Sequence, residues 1–167
     1  MAEKHKLIAK KFSYEGYFNY KEFFRIMDTW FREKFYDKKE DINEEYVTPE
    51  GKHLEMEFVP WKKVTDYFNI KIKVEISVDN LKEVTIKKGD RAVKTNYGKI
   101  SAKIKGYLIV DYENKWQKPL QYFYRYLMDN YIYRHITRQY EKEVISDVND
   151  LSTRLTNYLN ITPYQVE

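Results

Sequence analysis

Polar and apolar residues alternate most cleanly between Phe68 and Val78. Phe68, Ile70, Ile72, Val74, Ile76 and Val78 share one face, and Asn69, Lys71, Lys73, Glu75 and Ser77 the other. A period of two is the mark of a half-buried strand. A second strand repeats it, with Ile100, Ala102, Ile104, Leu108 and Val110 inward and Lys99, Ser101, Lys103, Lys105 and Tyr107 outward. Leu54, Met56 and Phe58 alternate with His53, Glu55 and Glu57 in a shorter run that Pro60–Trp61 interrupts. Leu7 to Phe18 reads as a strand with Ile8, Phe12 and Tyr14 on one face and Lys10 as the exception. Turn signals stand at Thr48–Gly51, Asp79–Asn80 and Lys88–Asp90. They predict short strands around Val84 and Ile86 and up to Gly98, and make Asp37–Glu50 a charged connector.

Two stretches change the period to that of a helix. Asn19-x-x-Glu22 is a capping pattern, and Tyr20, Phe23, Phe24, Met27, Trp30, Phe31 and Phe35 recur at helical spacing after it, predicting a helix over about 19–37. Pro119 to Leu159 then runs without glycine or a further proline, and proline suits a first helical turn. Ile136, Tyr140, Val144, Val148, Leu151, Leu155 and Leu159 form one stripe. In the first half Leu120, Phe123, Leu127 and Tyr131 lie on one side and Tyr122, Tyr126 and Tyr133 on the other. Apolar surface on two sides predicts cover on two sides, by the sheet and by a second element or chain. About 41 helical residues would span roughly 60 Å. That is more than a domain of this size measures across. A break near Asp129–Asn130, with the helix folding back, is the expected remedy; a projecting arm is the alternative.

The elements predict one α+β domain over residues 1–167. A curved antiparallel sheet over about 52–111 carries the N-terminal amphipathic helix and a long C-terminal helix over about 119–160, kinked, packed on its apolar face. No strand–helix alternation recurs, which excludes a doubly wound parallel sheet. This element order resembles the helix-grip fold of START-like and polyketide-cyclase-like proteins, and the resemblance implies an apolar ligand cavity between sheet and helix. The large aromatic side chains predict instead a filled interior. The run from Gly98 to Pro119, with DYENKW at 111–116, and the tail EKEVISDVNDL at 141–151 resemble a family of small archaeal proteins to which no activity is assigned. That resemblance implies an archaeal source and no mechanism.

Composition narrows the chemistry. There is no cysteine among 167 residues, which excludes disulfides, thiol catalysis and cysteine zinc sites and fits a cytoplasmic protein. No apolar run approaches a membrane span, and the first residues lack a secretion signal's apolar core. Glycine occurs five times, so backbone anion cradles are scarce, and no nucleophile elbow, phosphate loop or H-E-x-x-H motif is present. Binding is therefore expected rather than catalysis, with no cofactor. His53-x-Glu55-x-Glu57 puts three potential ligands on one strand face, but same-face neighbours nearly 7 Å apart are too widely spaced for one ion, so no metal is expected. His135, beside Arg134 and Arg138, reads as a surface or interface residue.

The 17 tyrosines suit interfaces, because each pairs an apolar ring with a hydroxyl. Tyr122, Tyr126, Tyr133, Ile136 and Tyr140 are the expected contacts with a protein partner or a second copy. Charge is uneven: Lys62–Lys105 holds 12 basic and 5 acidic residues, Asp28–Glu57 5 basic and 10 acidic. Lys71, Lys73, Lys99, Lys103 and Lys105 point to one sheet face with Tyr107. This makes RNA or DNA the alternative partner and an apolar ligand in a helix-grip pocket the second alternative.

Overall fold

The computed structural model describes residues 3–37, 40–110, 118–132 and 134–160. In chain order these are strand β1 (Glu3–Phe18), helix α1 (Tyr20–Glu33), strands β2 (Glu40–Thr48), β3 (Gly51–Phe58), β4 (Trp61–Lys63), β5 (Phe68–Lys88) and β6 (Arg91–Val110), helix α2 (Pro119–Leu127), a π-helical turn (Met128–Ile132) and helix α3 (Arg134–Asn160). The protein is α+β. Its six strands make one open antiparallel sheet in the order β1-β6-β5-β3-β2, with β4 beside β5, and α3 packs on that sheet. The arrangement is consistent with a helix-grip fold.

The alternation of β5 and β6 sets the layers. Cα partners Phe68↔Val110, Ile70↔Leu108, Val74↔Ile104, Ile76↔Ala102 and Val78↔Ile100 fill the inner face, and all ten residues are buried. Phe23, Met27, Trp30 and Phe31 of α1 and Val144, Val148, Leu151, Leu155 and Leu159 of α3 cover it. The crossing of α3 over the sheet is close. A Cβ at Gly106 of β6 would stand 2.6 Å from Val144 Cγ1 and 2.8 Å from Val148 Cγ2, so no space for a ligand remains there.

Polar contacts join the two helices. Asn19 Oδ1 accepts from the Lys21 and Glu22 amides, capping α1, while its own N–H donates to the Tyr158 hydroxyl at 3.3 Å. Glu22 turns to Arg25 and not back to Asn19, so the capping box is half formed. Trp30 Nε1 donates to Asp150 at 2.7 Å. Lys62, on β4, is 2.7 Å from Glu143 and 3.6 Å from the buried Asp147.

The sheet is larger than the alternation predicted, and four boundaries need correction. The stretch read as a charged connector contains β2, an edge strand polar on both faces and therefore without a periodic signal. The short segments read after Val78 and before Ile100 belong to two continuous strands. β5 passes through Asn80, where φ is +55° and the register with β6 shifts; this bulge bends the strand without ending it. Helix α1 stops at Glu33, not near 37. Phe35 takes a left-handed φ of +61°, its N–H bonds the Arg32 carbonyl, and the Tyr36 N–H bonds the Phe31 carbonyl. These are the two bonds of a Schellman cap. Phe35 is thereby turned out, 84% exposed, and Tyr36 turned in.

Candidate functional site

Helix α2 begins as its sequence suggests. Pro119 occupies the first position, and the Gln121 side chain accepts from the Lys118 N–H at 2.9 Å. It ends where the expected break lies. In the π-helical turn, Asn130 Nδ2 donates to the Tyr126 carbonyl at 2.9 Å. What differs is the cover. Leu120 is 69% exposed, Phe123 59%, Tyr126 64% and Tyr131 80%, and Tyr122 and Tyr124 are about half exposed. The expectation that this half packs on the sheet is therefore corrected. Its aromatic side chains face outward on both sides.

Of the five residues expected to meet a partner, Tyr122 and Tyr126 stand on this helix, one turn apart. Ile136 is 36% exposed near the start of α3. Tyr140 does not belong with them: its ring lies 5.1 Å from that of Phe68 and closes the end of the core. Tyr133 lies outside the described residues, as does the DYENKW segment.

The outer face of the sheet carries the charge. Lys71 lies across from Tyr107, Lys73 from Lys105, Glu75 from Lys103, Ser77 from Ser101 and Asp79 from Lys99. Lys71, Lys73, Lys105 and Tyr107 thus form one cluster at one end of the face, and Lys99 stands apart at the other, between Asp79 and Glu15. β1 adds a cation that the alternation did not reveal. Lys4 Nζ sits 4.0 Å above the Tyr107 ring, a cation–π contact. Its pKa is lowered, by burial first and then by Lys71, Lys73 and Lys105. Lys73 and Lys105 escape mutual repulsion through Glu75, 3.1 and 3.3 Å away, and Lys73 also reaches Glu57 at 3.3 Å. The hydrogen bond to Glu75 chiefly raises the Lys73 pKa. Burial alone would raise that of Glu75, but its bonds to Lys73 and Lys105 outweigh this and hold it low.

Bordering this network, and lined in part by its Glu57 and Glu75, the outer face holds a groove of about 350 Å³ across β1, β6, β5, β3 and β2. Lys11 and Lys103, direct cross-strand neighbours, line one part; Glu44 and Glu55, also direct neighbours, line another; Ser77 and Ser101 lie between. The side chains of His53-x-Glu55-x-Glu57 go to different partners. His53 Nδ1 is hydrogen-bonded to Asp79 and its ring stacks on Tyr46 at 4.5 Å. Glu57 goes to Lys73 and Glu55 lines the groove. No group of three or more metal-ligating side chains occurs among the described residues, and none of their helices is long and apolar enough to cross a membrane. His135 is exposed, as read.

Lys4, Lys11 and Glu44 were missed because their neighbours are remote in sequence: Lys11 meets Lys103, and Glu44 lies on the strand read as a connector. The lysines of β1 at positions 4, 6, 10 and 11 were the only available signal. No protein-family model matches this chain, and no curated protein matches it.

Proposed function

We propose that the protein is a non-catalytic assembly module whose contact surface is α2, and that a second copy of the chain is what covers it. The carrying observation is the exposure of Leu120, Tyr122, Phe123 and Tyr126 on a nine-residue helix. The helix runs on into the π-helical turn, so its formation is supported from that end, but apolar surface of this extent calls for cover, and the described part of its own chain offers little. Residues 119–133 carry one arginine and one aspartate. Two such segments can therefore meet without net repulsion, and aromatic rings are the side chains that interface centres favour.

Light scattering on the purified protein, at low and high salt, tests this. A dimer or larger species is expected in both buffers, with Tyr122→Glu/Tyr126→Glu monomeric and its far-ultraviolet circular dichroism and urea midpoint unchanged. An unchanged mass for that variant removes α2 from the interface.

A second reading rests on Lys4. Its ammonium is crowded by Lys71, Lys73 and Lys105, and a phosphate there would relieve the crowding, as in RNA or DNA binding through this end of the sheet face. This reading requires affinity for a labelled oligonucleotide that falls steeply with salt and is lost in Lys71→Glu/Lys73→Glu/Lys103→Glu. Binding that survives this triple reversal excludes the face.

A further inference from the structure

We infer that the groove on the outer sheet face is a binding site for a short zwitterionic peptide, its carboxylate on Lys11 and Lys103 and its ammonium on Glu44 and Glu55. Four charges on this face form no ion pair within the described part of the fold. Like charges directly opposite one another destabilise a sheet. Lys73 and Lys105 are relieved of this by Glu75. Lys11 and Lys103 have no ion-pair or hydrogen-bond partner among the described residues, and neither do Glu44 and Glu55. Two like-charge pairs of opposite sign, neither held by an ion pair of its own, therefore border one cavity, in which Glu75, across from Lys103, and Glu57 are already engaged by Lys73 and Lys105.

Geometry fixes the size of the occupant. Lys103 is on β6 and Glu55 on β3, with β5 between them. Lys103 aligns with Glu75 and Glu55 with Ser77, so two strand spacings of about 4.8 Å and two residues of about 3.4 Å along the strand separate them by about 12 Å. A chain of three to four extended residues spans about 10–14 Å, and a volume of about 350 Å³ lies within the range of small-ligand sites, roughly 300–1,000 Å³. The intervening floor is formed by Ser77 and Ser101, whose hydroxyls both donate and accept and suit the amides of a peptide lying across the strands. A polyanion matches only the lysine half and is repelled by the other.

The groove is separate from α2, so its test is separate as well. Trialanine is titrated into the isotopically labelled full chain and followed by amide NMR shifts. The expected result is a set of shifts confined to the groove. N-acetyl-trialanine and trialanine amide should each bind about tenfold more weakly, since each loses one charge-assisted contact. Glu55→Gln should weaken trialanine while leaving the N-acetylated form unaffected, and Lys103→Gln should do so for trialanine while sparing the amide. The same spectra show whether each variant is folded. Equal affinity of the free and capped peptides overturns the inference, as does an absence of shifts at millimolar trialanine. A rise in mass that Glu55→Gln abolishes would give the groove to a second copy and overturn it too.

Discussion

The Tyr36 hydroxyl donates a 2.7 Å hydrogen bond to Asp147 Oδ2, joining the residue that follows the α1 cap to the buried face of α3. Asp147 is 4% exposed, and a buried carboxylate is tolerable only with partners. Lys62 and Lys34, at 3.6 and 3.8 Å, supply the charge, and Tyr36 supplies the close donor. Tyr36→Phe removes the donor alone and should cost about 1–2 kcal/mol, read as a lower urea midpoint with an unchanged slope.

The same pair sets a limit at high pH. The Tyr36 pKa is pushed far up, by burial first and then by the charge of Asp147. A folded value above the unfolded value near 10 means that the contribution is fully present below pH 10 and is lost as pH rises above it. The loss should be about 1.4 kcal/mol per pH unit. The wild-type protein should therefore lose stability more steeply than Tyr36→Phe above pH 10, and parallel curves would show that the pair plays no part.

Glu75 acts at the other end of the pH scale. Its folded pKa is depressed, so its contribution is present above the ordinary carboxyl value near 4.5 and disappears as pH falls through the folded value. Glu75→Gln should lower Tm at pH 7, by an amount corresponding to about 0.5–1 kcal/mol given the partly exposed, screened setting. The two proteins should converge under acid conditions. A difference that persists there would trace the loss to packing.

Gly106 is required by proximity. Ala at this position places its methyl within 2.8 Å of both Val144 and Val148 and should destabilise the protein by about 1–3 kcal/mol through overpacking. Combining it with Val148→Ala should recover part of the loss. Additive losses would mean that α3 shifts as a body and not one side chain.

Phe35 offers a gain. It holds a left-handed cap position that glycine adopts without strain, and its ring is exposed. Phe35→Gly should stabilise by about 0.5–1 kcal/mol, measured by thermal unfolding.

How much could be read from the sequence follows the physics of each element. The inner faces of β5 and β6 were legible because a buried sheet face forces alternation. The α3 stripe was legible from Val144 onward because it lies on that sheet. β2 was hidden because an edge strand rich in glutamate has no buried face to impose a pattern, and lies where charge guards against edge pairing. The bend at Asn80 looked like a chain reversal because a bulge and a turn use the same residues. Tyr122 and Tyr126 were identified from their spacing, but a helix with apolar residues on both sides reads as covered. The groove was out of reach, since its lysines and glutamates come from strands whose order does not follow the chain.

The pairing of β1 with β6 has a consequence for synthesis. Phe18 lies against Asn96 and Glu3 against Val110, so β1 leaves the ribosome long before the strand that binds it exists. At about 5–20 residues per second, the delay for Phe18 is on the order of 4–16 s. Throughout that interval a sixteen-residue strand has no hydrogen-bonding neighbour on the side that β6 will occupy. Lys4, Lys6, Lys10 and Lys11 then keep the nascent segment from pairing with others of its kind, since charged lysines deter edge association. In the finished sheet β1 remains at the edge, and the same lysines continue that protection along its open side.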